Sequence, residues 1–267
     1  MTKKIAIDML TVAAIASTAI CLNLALHEGV HALTCIATGN RVQEFSALYI
    51  TGKTATTLQG KFVSGSAPTF NIVAGLLLLI LLRKSKKLAP ESRFFVWLFM
   101  LMNWLYGAGY LMFSGIANVG DMAGVIIGWK PDWLWHVLMF TIGSAGFMFF
   151  VWLALKEFGK MVGGNADEQY KRANKLSILS YITSLAAVLA TCFFCPTGLL
   201  TLPVTAGILA VSCALSPLLW MMQWFKAKYF LKIVKEPLEI RRKWQWIITG
   251  AIVTFAFVFI LGRTLYF

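Results

Sequence analysis

Residues 5–38 read IAIDMLTVAAIASTAICLNLALHEGVHALTCIAT, an apolar run that is interrupted near its end by His27, Glu28 and His31. The run is longer than the ~20 residues that an α-helix needs to cross the hydrocarbon core of a bilayer. A carboxylate and two imidazoles are unfavourable at such a depth, so their presence indicates a function rather than simple packing. This stretch therefore predicts a transmembrane helix that carries a polar site near one end.

The rest of the chain has the composition of a membrane protein. Of its 267 residues, 59% are hydrophobic, and the mean hydropathy is +0.74. Apolar runs alternate with short polar loops and predict an all-α polytopic membrane protein with about seven transmembrane helices. The predicted spans are 5–38, 62–82, 94–117, 133–155, 176–197, 199–222 and 244–267.

The formal net charge of +13 comes from lysines and arginines that lie mainly in the short loops. This distribution is typical of membrane orientation and argues against nucleic-acid binding. With seven spans, 19 of the 24 Lys and Arg residues fall on one side of the membrane. The positive-inside rule then places the N-terminus in the cytoplasm and the C-terminus outside, and we expect the plasma membrane.

Two loops have distinct compositions. Residues 39–61, GNRVQEFSALYITGKTATTLQGK, are rich in Thr and β-branched residues and favour a small β-hairpin after the first helix. Residues 156–175 contain Gly163-Gly164-Asn165 and charges of both signs, which predict a flexible linker.

The polar site in the first span has the pattern of a metal site. On a helix, side chains four residues apart lie on the same face, so the imidazoles of His27 and His31 can bind one ion. Glu28, next to His27, can polarise a water on that ion. This is the H-E-x-x-H arrangement of zinc peptidases, in which zinc lowers the pKa of its water to near neutral. The alternative is a polar cluster that neighbouring helices satisfy.

A catalytic zinc ion usually takes three protein ligands and a water, so one ligand must come from outside this helix. Asp121, which follows the third span, is the best candidate. Asp132 reads as part of a solvated loop, and Asp8 lies ~28 Å from His27 at ~1.5 Å per helical residue. His136 is a further candidate, although a lone histidine in a span is more often a satisfied polar contact.

Residues 27–42, HEGVHALTCIATGNRV, resemble the zinc helix of site-2 protease-type intramembrane metalloproteases. The segment Gly65-Ser66-Ala67-Pro68-Thr69-Phe70-Asn71 is similar to the Gly-Pro-x-x-Asn element of that family, and Gly120-Asp121 lies where the family has its third ligand. The resemblance covers residues 20–125. The chain departs from the family in lacking an Asn-x-x-Pro sequence before Asp121 and a glycine after it.

The resemblance implies a zinc site with His27, His31 and Asp121 as ligands and Glu28 as catalytic base. It also implies that Asn71 holds the main chain of the substrate. An amide suits that role because it offers a donor and an acceptor to an unwound helix, and a helix–helix hydrogen bond is the alternative. Asn103 and Asn118 are candidates to line the same cavity. Tyr106 and Tyr110 either line it too or bond neighbouring helices.

On this interpretation, residues 1–125 form a zinc-binding catalytic core of three spans, and residues 126–267 form an accessory bundle of about four. The expected function is zinc-dependent hydrolysis of a peptide bond in or near a transmembrane segment of a membrane-protein substrate, within the lipid bilayer. The alternative is a non-catalytic binder, chaperone or transporter, since intramembrane ionisable residues also mark ion pathways. The family usually places its zinc nearer the cytoplasm, whereas the charge count predicts the opposite, and we follow the charge count.

Overall fold

The computed structural model describes residues 6–85, 87–163, 166–196, 208–209, 211–226 and 237–267. Within these ranges the chain is mostly helical, and six helices are long and apolar enough to cross a membrane. The helices are α1 (Met9–Ala37), α2 (Thr57–Lys84), α3 (Pro90–Ala117), α4 (Asp121–Ile126), α5 (Asp132–Val162), α6 (Ala166–Phe193), α7 (Pro217–Trp220) and α8 (Trp244–Phe259). All of them except α4 and α7 are candidate spans.

Side-chain caps determine where α1 and α2 begin. Oδ1 of Asp8 accepts a hydrogen bond of 2.9 Å from the main-chain N–H of Thr11, which satisfies one of the free donors at the start of α1. Thr56 and Gln59 form a reciprocal capping box at the start of α2. Gln59 also donates to the carbonyl oxygen of Thr38 at 2.8 Å, so the start of α2 is tied to the end of α1.

The loop between α1 and α2 forms the predicted β-hairpin. Strands β1 (Arg41–Phe45) and β2 (Ile50–Lys53) pair antiparallel. A third strand, β3 (Leu265–Tyr266), pairs antiparallel with β1 and gives the strand order β2-β1-β3. The predicted last span, 244–267, is therefore too long at its end, because the helix stops at Phe259 and the chain turns back into the sheet.

Helix α3 lies at the centre of the bundle. In the most apolar stretch of α3, 78% of the residues are buried, whereas the corresponding share for α8 is 22%. Two glycines of α3 permit close helix packing. A Cβ at Gly107 would lie 2.6 Å from Cγ1 of Ile72 in α2, and one at Gly115 would lie 2.6 Å from the main-chain nitrogen of Phe140 in α5. The third helix can therefore pack against both neighbours at short distance.

Large apolar side chains point outward from the bundle. Leu77 of α2, Phe149 of α5 and Ile252 of α8 are each more than half exposed. Exposed apolar surface on this scale is rare in soluble monomers, whereas a bilayer requires it. Together with the six apolar helices, this surface indicates a polytopic membrane protein.

The bundle has two distinguishable ends. At one end, which we call the sheet end, Gly262 packs against Thr191 close to β3. At the opposite end, the main-chain nitrogen of Asp8 donates to the carbonyl oxygen of Ile240 at 2.8 Å. Thr191 and Ile240, which bound the interval 192–239, therefore lie at opposite ends of the bundle. That interval contains the predicted span 199–222, much of which lies outside the described residues, and the count of seven spans stays a prediction.

The prediction of a flexible linker over residues 156–175 is wrong. Helix α5 continues to Val162 and α6 begins at Ala166, so only a short connection separates them. The misleading signal was the mixed charge of the segment. The buried carboxylate of Glu157 in α5 accepts from Arg83 of α2 at 2.6 Å and from Lys160 of its own helix at 2.7 Å, so this charge is paired rather than solvated.

Candidate metal centre

The second half of α1 and the start of α4 bring the three predicted ligands together. Nε2 of His27 lies 2.9 Å from Oδ2 of Asp121, and Nε2 of His31 lies 3.2 Å from the same oxygen. The three potential ligand atoms lie within 4.8 Å of one another. The two histidines come from one face of α1, as their spacing of four residues predicts, and Asp121 is supplied by a distant part of the chain.

The other ring nitrogens of the two histidines show which tautomer each ring adopts. Nδ1 of His27 lies 2.6 Å from Oδ1 of Asn71, and Nδ1 of His31 lies 2.7 Å from the main-chain oxygen of Val63. Both partners are acceptors, so in a neutral ring each Nδ1 carries the proton. Each Nε2 then presents a lone pair toward Asp121. Nε2 of His31 is buried without a hydrogen-bond partner among the described residues.

These residues fit a metal ion. Two imidazole lone pairs and a carboxylate oxygen repel one another at this spacing unless ring protons or a metal cation lie between them. Ligands at about 2.0–2.1 Å from a tetrahedral zinc ion would be roughly 3.3 Å apart, close to the separations seen here. An Nδ1 that donates to a carbonyl or amide oxygen is also the usual outer arrangement of zinc-binding histidines. His27, His31 and Asp121 therefore have the geometry to bind a metal ion.

Glu28 lies beside this centre without belonging to the group of ligands. It is 5% exposed and lines the same cavity as His31 and Asp121. In the part of the chain that the structure describes, no hydrogen bond or ion pair engages its carboxylate. A buried carboxylate is expensive within a membrane helix and is most often retained for a function.

Asn71 lies behind His27 rather than in the cavity. It is fully buried, and its Nδ2 donates to Oδ1 of Asn103 at 2.9 Å and to Oδ1 of Asn23 at 3.3 Å. Asn103 in turn donates to the carbonyl oxygen of Phe99 at 2.8 Å. The amide of Asn71 thus bonds His27 and two other asparagines, and its contact with a substrate main chain stays a prediction. Asn103, expected to line the cavity, belongs to the same hydrogen-bond chain.

The remaining candidates lie elsewhere. Asn118 is exposed and caps α3 in the left-handed conformation, with φ of 52°, which turns the chain toward Asp121. Nε2 of His136 lies 3.6 Å from Oδ2 of Asp132, one helical turn earlier on α5. Asp8 caps α1 at the opposite end of the bundle. None of these residues lines the cavity at the metal centre.

A cavity of about 530 Å³ opens on the metal centre. Its lining includes Glu28 and Asp121 of the candidate metal centre and Ile50 and Gly52 of β2. Among the described strands, β2 pairs only with β1, so its outer edge keeps free main-chain groups. The cavity thus joins the metal centre to an open strand edge.

Two tyrosines of α3 contact His27. The ring of Tyr110 stacks on the imidazole, with centroids 5.1 Å apart and planes 14° apart, and the ring of Tyr106 meets it edge-on at 5.9 Å. Tyr110 lines the cavity, whereas Tyr106 is 2% exposed and does not. The prediction that these tyrosines line the cavity therefore applies to Tyr110 and not to Tyr106.

Sequence reasoning missed two residues that support the ligands. Asn23 bonds Asn71 and precedes His27 by four residues, so helical spacing alone could have placed it on the ligand face. Val63 acts through its main-chain oxygen, for which the sequence carries no signal. No protein-family model matches this chain, and no curated protein or solved structure matches it. The function is therefore inferred from the chemistry of the site.

Proposed function

We propose that this chain is a membrane-embedded, zinc-dependent endopeptidase. The observation that carries the proposal is the convergence of two imidazoles and one carboxylate beside the unpaired carboxylate of Glu28. Three protein ligands are typical of catalytic zinc sites, which keep a position for water, whereas structural sites use four. The resemblance of residues 27–42 to the zinc helix of site-2 protease-type enzymes supports the same function.

The residues around the centre provide a complete route for hydrolysis. Zinc, when bound, supplies a Lewis acid that polarises the peptide carbonyl and lowers the pKa of a water to near neutral. Glu28 takes a proton from the attacking water as the bond between the water oxygen and the carbonyl carbon forms. The same carboxyl group then gives that proton to the amine nitrogen as the C–N bond breaks. Asn71 and the carbonyl of Val63 hold the two imidazole rings in place throughout.

The location of the centre favours a membrane-protein substrate. Its two histidines lie on one of the six apolar helices, so a substrate within the bilayer can reach them. A transmembrane substrate helix hides its peptide bonds in internal hydrogen bonds and must unwind before hydrolysis. An unwound segment finds main-chain partners at an open strand edge, and β2 offers such an edge beside the cavity. We therefore propose that the substrate lies extended along β2.

The basic residues suggest how the protein is oriented. The end of the bundle opposite the sheet carries Arg83 and Lys84 at the end of α2 and Arg241, Arg242 and Lys243 before α8. By the positive-inside rule this end faces the cytoplasm. The metal centre would then lie nearer the outer face of the plasma membrane.

The test compares the wild type with Glu28→Gln in membranes from cells that express each form. Glu28→Gln removes the base but no ligand, so both proteins should purify with about one zinc per chain. We expect new peptide termini, identified by mass spectrometry, in membrane proteins of the wild-type sample alone. Equal zinc content without any such difference would show a metal-binding protein that is not a peptidase, which is the alternative function.

A further inference from the structure

We infer that Tyr110 is a catalytic residue that stabilises the negative charge on the substrate's carbonyl oxygen. The inference rests on the proposed peptidase function and assigns a role that the ligands and Glu28 leave open. Acyl transfer needs a hydrogen-bond donor aimed at the oxygen on which charge develops. Among the residues described at this centre, both histidines already donate through Nδ1 to Asn71 and Val63, so neither ring has a second proton to offer.

The other hydroxyl groups of the described cavity wall belong to Tyr49, Thr54 and Ser64, and Oγ1 of Thr54 lies beside Gly60, where an added Cβ would be 3.2 Å from it. The hydroxyl of Tyr49 lies 3.4 Å from Oγ1 of Thr264, beside the sheet. The hydroxyl of Ser64 packs against Gly124 in α4, where an added Cβ would lie 2.6 Å from it. Tyr110 alone among the hydroxyl residues of the described cavity wall has a ring contact with a ligand, through its stacking on His27.

The ring of Tyr110 lies close to the start of α4. A Cβ added at Gly120 would lie 3.3 Å from Cε1 and 3.5 Å from Cδ1 of the tyrosine ring. Cε1 is bonded to the carbon that carries the hydroxyl, so this end of the ring passes the residue immediately before Asp121. Gly120 has φ of +84°, a conformation that suits glycine, and its missing side chain leaves room for the ring.

The hydroxyl of Tyr110 is also free to act. Within the described ranges it makes no hydrogen bond, and the side chain is partly exposed to the cavity. Tyr106, one helical turn earlier on α3, provides the comparison. It touches the same imidazole, but its hydroxyl is buried without a partner among the described residues, and it does not line this cavity.

The role follows from the electron movements of hydrolysis. When the water oxygen bonds to the carbonyl carbon, the electron pair of the C=O bond moves onto the oxygen. The phenol O–H of Tyr110 donates a hydrogen bond to this oxygen and keeps its own proton, while Glu28 carries the proton from the water to the amine. When the C–N bond breaks, the C=O bond forms again and the hydrogen bond weakens.

The test uses Tyr110→Phe, with Tyr106→Phe as the matched control, in the full-length protein in detergent. Both changes remove one hydroxyl and keep the aromatic contact with His27. Removing one donor of this kind lowers kcat by about 10²–10³-fold. We expect that loss for Tyr110→Phe, with KM nearly unchanged and zinc content equal to the wild type. Tyr106→Phe should keep wild-type kcat.

A second measurement does not depend on turnover. A phosphonamidate peptide carries a tetrahedral, negatively charged group in place of the scissile bond, and its binding can be followed by calorimetry. Tyr110→Phe should bind it at least tenfold more weakly, whereas Tyr106→Phe should bind it as the wild type does. If Tyr110→Phe keeps the kcat and the phosphonamidate affinity of the wild type, the role assigned to Tyr110 is wrong, while the proposed peptidase function stands. Loss of zinc from Tyr110→Phe would also contradict this role, because it would show that the side chain acts through packing. A zinc-loaded wild type without cleavage would instead overturn the proposed function.

Discussion

Oδ1 of Asn71 lies 2.6 Å from Nδ1 of His27, a short hydrogen bond between α2 and α1 at the metal centre. The orientation of the amide is fixed independently, because its Nδ2 has two oxygen partners, Asn23 and Asn103. In a neutral His27 ring the proton is therefore on Nδ1. In this structure Asn71 is the hydrogen-bond partner of a candidate metal ligand.

Asn71→Ala should therefore weaken metal binding without removing a ligand. Loss of an outer partner of a zinc-bound histidine typically reduces affinity by about 10–100-fold. Competition with a zinc-chelating dye measures this change directly. Asn118→Gly, at an exposed position outside the cavity, is the control and should match the wild type, because glycine keeps the left-handed backbone at this position. Unchanged zinc affinity in Asn71→Ala would show that this hydrogen bond does not orient the ring.

The ligand assignment predicts which substitutions lower the zinc content and which do not. His31→Ala and Asp121→Ala should each reduce the zinc content from about one per chain to well below it, because each removes one of three ligands. His136→Ala should leave the zinc content unchanged, since its partner is Asp132. Elemental analysis of the purified proteins makes the comparison. A normal zinc content in Asp121→Ala would exclude this residue as the third ligand.

We expect the carboxylate of Asp8 to stabilise the fold in a pH-dependent way. The hydrogen bond from the main-chain N–H of Thr11 lowers the pKa of its carboxyl group, and Arg242 adds to this effect. A group with a lowered pKa stabilises the fold above the unfolded value of 3.8, and the contribution disappears as pH falls through the folded value. Asp8→Ala should lower the free energy of unfolding by about 1 kcal/mol at neutral pH.

Thermal unfolding in detergent at a series of pH values tests this contribution. The difference between wild type and Asp8→Ala should shrink as the pH drops below the unfolded pKa. A difference that stays constant down to strongly acidic pH would mean that the carboxylate charge plays no part in the cap.

The proposed orientation can be tested with introduced cysteines. Lys53 in β2 and Lys87 after α2 are exposed at opposite ends of the bundle. In a Cys213→Ser background, which removes the one exposed native cysteine of the described chain, an impermeant maleimide should label Lys53→Cys on intact cells and spare Lys87→Cys. The reverse pattern would place the metal centre near the cytoplasm, and the unmodified background protein measures nonspecific labelling.

Local patterns in the sequence predicted much of this structure. The apolar runs and the spacing of His27 and His31 depend on residues close together in the chain. The helices, and the helix face that the two histidines share, could therefore be predicted from the sequence. Strand β3 could not be predicted, because two residues at the end of an apolar run carry no strand signal. Their partner strand, β1, also lies far away in the sequence. The role of Asn71 was also ambiguous, since an amide can serve a substrate or a histidine equally well, and only its neighbours decide.

Strand β3 is the last part of the sheet to be synthesised. Tyr49 and Thr264, whose hydroxyl groups lie 3.4 Å apart, are separated by 215 positions in the chain. Helices enter the bilayer in the order of translation, so α1 and its histidines are present long before the ribosome reaches β3. The hairpin remains two-stranded until α8 has been inserted. A nascent chain of this protein therefore carries its candidate metal ligands early but completes the sheet beside them only after the helical bundle is nearly assembled.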